Sequence, residues 1–326
     1  MKLSYNYTLS INFYRISVLE IPHIPVLLNE VEELFKNLST GYFLDCTLGF
    51  GGHSEALLKN HPHIKLIACD QDRQALEFSK KRLECFKDRI SFIQSNFSEI
   101  LEKISHKENL RGILADIGVS SFQLDKDERG FSLNSNFLDM RMDQNSKMSA
   151  YDLVNNYSKE QLAFIFKEYA QLHDANFIAE KICLARNKTP IKSAKELCQI
   201  IGKTKHNNRK ISKATLAFQA IRIEINQELQ ALKDFLKNLE ILKPRACILA
   251  IISFHSLEDR IVKTFFKKWA KNCICDDRAL RCECGNNHSL GEILSKKAIV
   301  PSKEELLKNS RSSCAKMRAF YFKNIG

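Results

Sequence analysis

The chain has 326 residues, 44% of them hydrophobic, and a formal charge of +12; it can build one large domain or two smaller ones, and its charge suits a polyanion such as nucleic acid or a membrane surface. No apolar run approaches the roughly 18 residues needed to cross a bilayer, and residues 1–20, polar throughout, lack the apolar centre of a secretion signal. A cytoplasmic protein is expected, its eleven cysteines being reduced thiols or metal ligands rather than disulfides.

In chain order, residues 1–20 are expected to form a flexible extension. The first strand, Tyr42–Asp45, runs into a turn carrying Gly49, Gly51 and Gly52, and the helical pattern Ser54–Asn60 follows at once. Such a turn brings bare backbone up to a ligand, because these glycines have no Cβ. The dinucleotide pattern G-x-G-x-x-G is not met, since its third glycine would fall on Ser54. A second strand, Lys65–Asp70, ends in an acid, which commonly takes a ribose hydroxyl pair. An adenosine-like cofactor held without a pyrophosphate grip points to S-adenosylmethionine. The helical pattern Arg73–Phe86, the strand Ile90–Ser95, the helical pattern Phe97–Ser105 and the strand Gly112–Ile117 continue the alternation. This pattern gives a doubly wound, mostly parallel α/β sheet of Rossmann-like type, with its loops gathered at one edge.

Beyond it, residues 125–213 contain no convincing strand. Ser158–Gln161 and Ser193–Glu196 have capping-box spacing and open helical patterns. This stretch reads as an inserted all-helical domain that splits the sheet domain into 21–124 and 214–326. A long helix over Thr215–Leu242, a strand over Cys247–Ser253, a helix over Leu257–Trp269 and a last strand over Arg318–Lys323 complete the chain. Residues 186–213 hold nine Lys and Arg against Glu196 alone. Within them Lys203, Lys205, Arg209 and Lys210 lie in a segment without apolar residues, expected to bind RNA phosphates. The alternative is a loop whose charge faces solvent.

Asp116-Ile-Gly-Val-Ser-Ser-Phe-Gln123 follows the fourth strand, where sheet methyltransferases hold their acceptor nitrogen. Together with His23-Ile-Pro-Val-Leu-Leu28, Gly51-Gly-His53, Arg129-Gly-Phe-Ser132, Leu138-Asp-Met-Arg-Met-Asp143, Phe218-Gln-Ala-Ile-Arg222 and Ile252-Ser-Phe-His-Ser-Leu-Glu-Asp-Arg260, it resembles the RsmH (MraW) family of 16S rRNA cytosine-N4 methyltransferases. The resemblance covers nearly the whole chain. It implies cofactor contacts at Gly51, Gly52, His53, Asp70, Phe97, Asp116 and Gln123. It implies a substrate in 16S rRNA or the small ribosomal subunit, and no membrane; a monomer and a homodimer both remain open. The chain departs from the family pattern at Phe50, where a third glycine is usual, and in Lys213-Ala-Thr-Leu216, Tyr169-Ala-Gln-Leu172 and Asn309–Arg318.

Asp116, or the backbone carbonyls beside Gly118 and Val119, are the candidate acceptors for the amino hydrogens of the base. Asp139 and Arg141 are the candidates for reading that base, on the family string alone. Asp45 either binds the cofactor's amino group or caps the glycine turn. The backbone of His53 is expected to face an anion at a helix start, with no chemistry for its imidazole. His255, Ser256 and Asp259 have the residue types of a hydrolase triad but no G-x-S-x-G elbow supports it. Cys273-Ile-Cys275 and Cys282-Glu-Cys284, with His288 nearby, have only one residue between paired thiols. That is tight for zinc, and no metal is assigned. A DNA amino-methyltransferase and a non-catalytic RNA-binding module are the rival readings.

Overall fold

The computed structural model describes residues 25–204, 211–276 and 281–324. Its first half alternates as expected: α1 (Leu28–Phe35), β1 (Gly41–Asp45), α2 (Gly52–Asn60), β2 (Ile64–Asp70), α3 (Arg73–Arg82), β3 (Ile90–Gln94), α4 (Ile100–Lys103), β4 (Leu110–Asp116) and α5 (Ser121–Asp125). Five helices follow: α6 (Ala150–Asn156), α7 (Lys159–Glu168), α8 (Ala175–Arg186), α9 (Ala194–Ile201) and α10 (Lys213–Asn226). The chain then forms α11 (Glu228–Leu242), β5 (Cys247–Ser253), α12 (Ser256–Trp269), β6 (Gly291–Ile293), α13 (Lys303–Lys308) and β7 (Lys316–Phe322).

The seven strands form one sheet in the order β3-β2-β1-β4-β5-β7-β6. Strands β1 to β5 pair in parallel, while β7 runs antiparallel to both β5 and β6. Parallel strands are covered on both faces, and the alternation of side chains divides them cleanly. Leu44, Ile67, Cys69, Ile113, Ala115, Leu249 and Ile251 point into one core with Phe235, Leu236, Phe266 and Trp269 of α11 and α12. Phe43, Leu66, Ala68, Leu114, Ala250 and Ile252 point into the other, against Val31, Phe35, Leu57 and Leu76 of α1, α2 and α3. The chain winds outward from β1 to β3, returns to β4, and winds the other way. A crevice therefore opens between the C-terminal ends of β1 and β4, where the strand order reverses.

Three sequence expectations change. The long helix over 215–242 is two helices, broken at Gln227, whose φ is +50°. The break is held from both sides. Arg222 grips Glu228 through two hydrogen bonds of 2.8 and 2.9 Å, and Asn226 donates to the Met140 carbonyl and accepts from the Met142 amide. Apolar periodicity continues across the break, so the pattern alone did not reveal it. The helix expected over 73–86 ends at Arg82 and continues as 3₁₀ turns over Glu84–Arg89, and that over 97–105 shrinks to Ile100–Lys103. Helix α1 and the three-residue β6 carry too short a pattern to be read.

The third core lies over the crevice. It joins Leu153, Leu162, Phe166, Ile178, Ile182 and Leu197 of α6 to α9 with Ala214, Ala217, Phe218, Ile221 and Ile225 of α10. Helix α10, placed with the sheet by a boundary at 213, shares this core.

Candidate active site

The glycine turn is tied by acids at the strand ends. Asp45 accepts a hydrogen bond from Ser54 Oγ at 2.6 Å and one from the Thr47 amide at 3.2 Å. Of its two sequence readings, the turn cap is the one it occupies. Burial pushes its carboxyl up to about 6 against the bond from Ser54. Asp70 accepts from the Gly49 amide and from the Asp72 amide, both at 2.8 Å. Gly51, at φ +75°, is the N-cap of α2. A Cβ on Gly52 would lie 2.2 Å from the Pro25 ring, so that position admits no side chain without moving the segment before α1. The His53 Nε2–H donates to the Val26 carbonyl at 2.9 Å, and the imidazole thereby anchors the same segment.

A second node joins the sheet to the helical layer. Asp72 caps α3 and accepts from Gln123 Nε2 at 2.9 Å and Arg129 Nη1 at 2.7 Å. Gln123 also closes a capping box with Ser120 at the start of α5. Arg129 is fully buried and donates through Nη2 to the carbonyls of Arg141 and Met142. One carboxylate thus fixes α3, α5 and the 139–142 segment.

Between these parts lies a cavity of about 360 Å³. Its floor is lined by Gly49, Gly52, His53, Asp70, Phe97, Asp116 and Gln123 among others. Phe97 is held edge-on against Phe235, ring centres 5.5 Å apart. Asp116 ends β4, its amide donating to Thr47 Oγ1 at 2.6 Å. Its Oδ1 is buried and has no hydrogen-bond partner. Burial, then the negative charges of Asp45, Glu258 and Glu305, pushes this carboxyl up to about 8. Burial likewise pushes Asp70 up to about 7, with Asp72 and Asp45 adding repulsion against its two amide donors. Carboxyls in this state favour a ligand that brings positive charge and N–H or O–H donors. S-adenosylmethionine has a sulfonium, an ammonium, an adenine amino group and a ribose diol, and its donor set fits.

The opposite wall comes from elsewhere. Thr215, Gln219 and Arg222 of α10 line it at helical spacing, with Met142, Phe254, His255, Arg311 and Cys314. Glu228, His255 and Glu258 bring ligand atoms within 4.8 Å of one another. Each already has work: Glu228 holds Arg222, Glu258 accepts the amides of Phe254 and His255, and His255 Nδ1 caps α12 by accepting from the Glu258 amide. Asp259 is taken by Arg318 at 2.6 Å, so the triad residue types form no charge relay.

Six of the seven sequence-derived cofactor positions line the cavity. Gly51 does not; it faces Ser79 and Leu83 and shapes the turn from behind. Asp139 and Arg141 do not line it either. They grip each other at 2.6 and 3.0 Å, and Arg141 also donates to the Ser146 carbonyl, so their charges set the loop that carries Met142. Of the basic stretch, Arg186 is spent on the Val154 and Tyr157 carbonyls and Lys213 on Asp174. Lys203 is exposed; Lys205, Arg209 and Lys210 lie outside the described residues. The ends of this stretch meet where the Lys213 amide bonds the Thr204 carbonyl at 2.9 Å, beside Ile211 on the cavity wall. Sequence reasoning missed Asp72, Thr215, Gln219 and Arg311; the 215/219/222 spacing was the available signal for the helix face.

A family model described as the MraW methylase family matches residues 20–323. A Campylobacter jejuni protein (strain 81-176) named Ribosomal RNA small subunit methyltransferase H is 80% identical over 307 residues, 94% of this chain and 99% of that protein. Proteins of the same name from Campylobacter lari, 61% identical over 306 residues, and Campylobacter fetus, 58% identical over 303 residues, cover 94% and 93% of this chain. They are themselves covered over 100% and 98% of their lengths.

Proposed function

The chain belongs to the MraW methylase family, and from that membership and the cavity we propose that it methylates small-subunit ribosomal RNA. The methyl donor is S-adenosylmethionine, and the acceptor is the exocyclic N4 of a cytidine in the decoding region of 16S rRNA, cytidine 1402 in standard numbering by family resemblance. The observation that carries this reading is Asp116: a buried carboxyl with an unpartnered Oδ1, at the strand end beside the switch point.

S-adenosylmethionine supplies a methyl group on a sulfonium, already a strong electrophile. The difficulty lies with the acceptor, whose lone pair is delocalised into the cytosine ring. In its ionised form, which a neighbouring sulfonium would favour, Asp116 would accept one N–H of that amino group through Oδ1, helping the nitrogen become pyramidal, and would receive the proton released as the N–C bond forms and the methyl–sulfur bond breaks. Asp70 takes the ribose hydroxyls while keeping the Gly49 amide in place. The α10 face and Phe254 close the cavity, so the base enters only after leaving its stack. Lys203, exposed, and the basic residues that follow it in the sequence hold phosphates, and Met142, carried by the Asp139–Arg141 loop, borders the base.

Mapping of methylated cytidines by mass spectrometry tests this, on small-subunit RNA from cells with and without the gene. One N4-methylcytidine should disappear and return on adding purified protein and S-adenosylmethionine. Methylation of DNA instead, or cofactor binding with no transfer to either, would favour the rival readings.

A further inference from the structure

We propose that Cys273, Cys275, Cys282 and Cys284 bind a structural zinc ion. Their four sulfurs lie within 4.8 Å of one another. The separations Cys273–Cys282 and Cys282–Cys284 are 3.6 Å, and Cys284–Cys273 is 3.7 Å. A tetrahedral ion with Zn–S bonds of about 2.3 Å has edges of about 3.8 Å. Three of the sulfurs therefore stand at edge lengths such an ion requires, and the fourth, that of Cys275, lies within 4.8 Å of them. They are too far apart for a disulfide, whose S–S bond is about 2.0 Å, and all four thiols are free.

The single residue between paired thiols, which argued against zinc in the sequence, has a use in three dimensions. The Ile274 amide, inside the first pair, donates to Cys284 Sγ at 3.4 Å. The Glu283 amide, inside the second pair, donates to Cys275 Sγ at 3.3 Å. Each pair thus offers an N–H to a sulfur of the other, and such donors favour thiolates and orient them toward a shared cation. His288 is not a fifth candidate, because its Nε2–H donates to the Cys284 carbonyl at 2.7 Å and so buttresses the ligand loop.

Four thiolates leave no open position, which marks a structural rather than a catalytic centre. Its place in the fold agrees. The Cys-rich segment leaves the end of α12 and returns at β6, with the His288 amide bonded to the Asn272 carbonyl and the Leu290 amide to that of the buried Trp269. These cysteines are exposed or half-buried, and the segment has little apolar surface to bury. A metal clip supplies what packing cannot there.

Elemental analysis of the full-length protein, purified reduced and without chelators, should find a single zinc ion per chain. A thiol-blocking mercurial should release it, and cobalt in its place should give thiolate-to-cobalt charge-transfer bands. The Cys273→Ser/Cys284→Ser variant should lose the metal while calorimetry still records S-adenosylmethionine binding. Four results overturn the proposal: protein that binds the cofactor yet takes up neither zinc nor cobalt, iron in place of zinc, a disulfide among these cysteines in non-reduced protein, or full zinc in the variant.

Discussion

The floor of the cavity comes from four short segments, Cys46–His53, Asp70–Asp72, Ser95–Phe97 and Asp116–Gln123, each at the C-terminal end of a parallel strand. Its opposite wall comes from one face of α10, the Phe254–His255 turn, Met142 and Arg311, which are far apart in the chain. The floor is acidic, buried and tied by backbone hydrogen bonds. The α10 and Met142 part of the wall is built from side chains whose positions depend on how a separate helical core packs over the sheet. A strand end delivers its residue wherever the sheet goes. A helix face delivers nothing until the helix is docked, and here docking rests on a few buried polar contacts, Arg129 with Asp72 foremost.

The sharpest way to break that dependence is at the joint. Arg129→Ala leaves Asp72 buried without its cation and frees two buried carbonyls; it should cost about 3–5 kcal/mol by urea unfolding. Removing the exposed Arg311–Asp125 pair by Arg311→Ala should cost no more than about 1 kcal/mol. Equal costs would mean that the helical layer is held mainly by its apolar contacts.

Asp116→Ala acts on the floor alone. Its kcat for labelled-methyl transfer should fall roughly 100- to 10,000-fold, with the unfolding midpoint no lower than that of the unaltered chain. A kcat within twofold would remove Asp116 from the chemistry.

Asp70→Ala should weaken S-adenosylmethionine by about 1.5–3 kcal/mol for each charge-assisted bond removed. Calorimetric titration measures this; unchanged affinity would leave Asp70 only its bonds to the Gly49 and Asp72 amides.

The floor also predicts a pH dependence. The Asp116 carboxyl stands near 8 when folded, against an ordinary 3.8. Folded protein therefore keeps a proton that unfolded chain releases, and this contribution to stability declines as pH rises from about 4 to about 8. Asp116→Asn should gain on the unaltered chain by at least about 1 kcal/mol between about pH 5 and about pH 9, measured by denaturant titration at each pH. A constant difference would show that this carboxyl titrates normally.

The smallest effect belongs to the basic stretch. Replacing Lys203, Lys205, Arg209 and Lys210 by Gln should lower the slope of log affinity for RNA against log salt by about 0.7–0.9 for every phosphate that these side chains neutralise. S-adenosylmethionine affinity and the chosen cytidine should not change. An unaltered slope would assign this charge to solvent.

The sequence by itself determined the parallel strands β1 to β5 and the glycine turn, and placed Asp70 and Asp116 at strand ends. These follow from short continuous apolar runs that end in an acid or a glycine turn, and the parallel sheet then carries such ends to one edge. Helices α7 and α9 of the insert were legible from their Ser caps, and the basic stretch from composition. Only the tertiary structure decided that Asp45 caps a turn, that Asp139 and Arg141 satisfy each other, and that Gln227 breaks a helix within a continuous apolar pattern. It alone decided that Asp72 joins three elements and that four cysteines with unpromising spacing converge. In each case the deciding partner is distant in the chain or lies behind a backbone turn. Periodicity records which side of an element is buried, and carries no information about what meets it there.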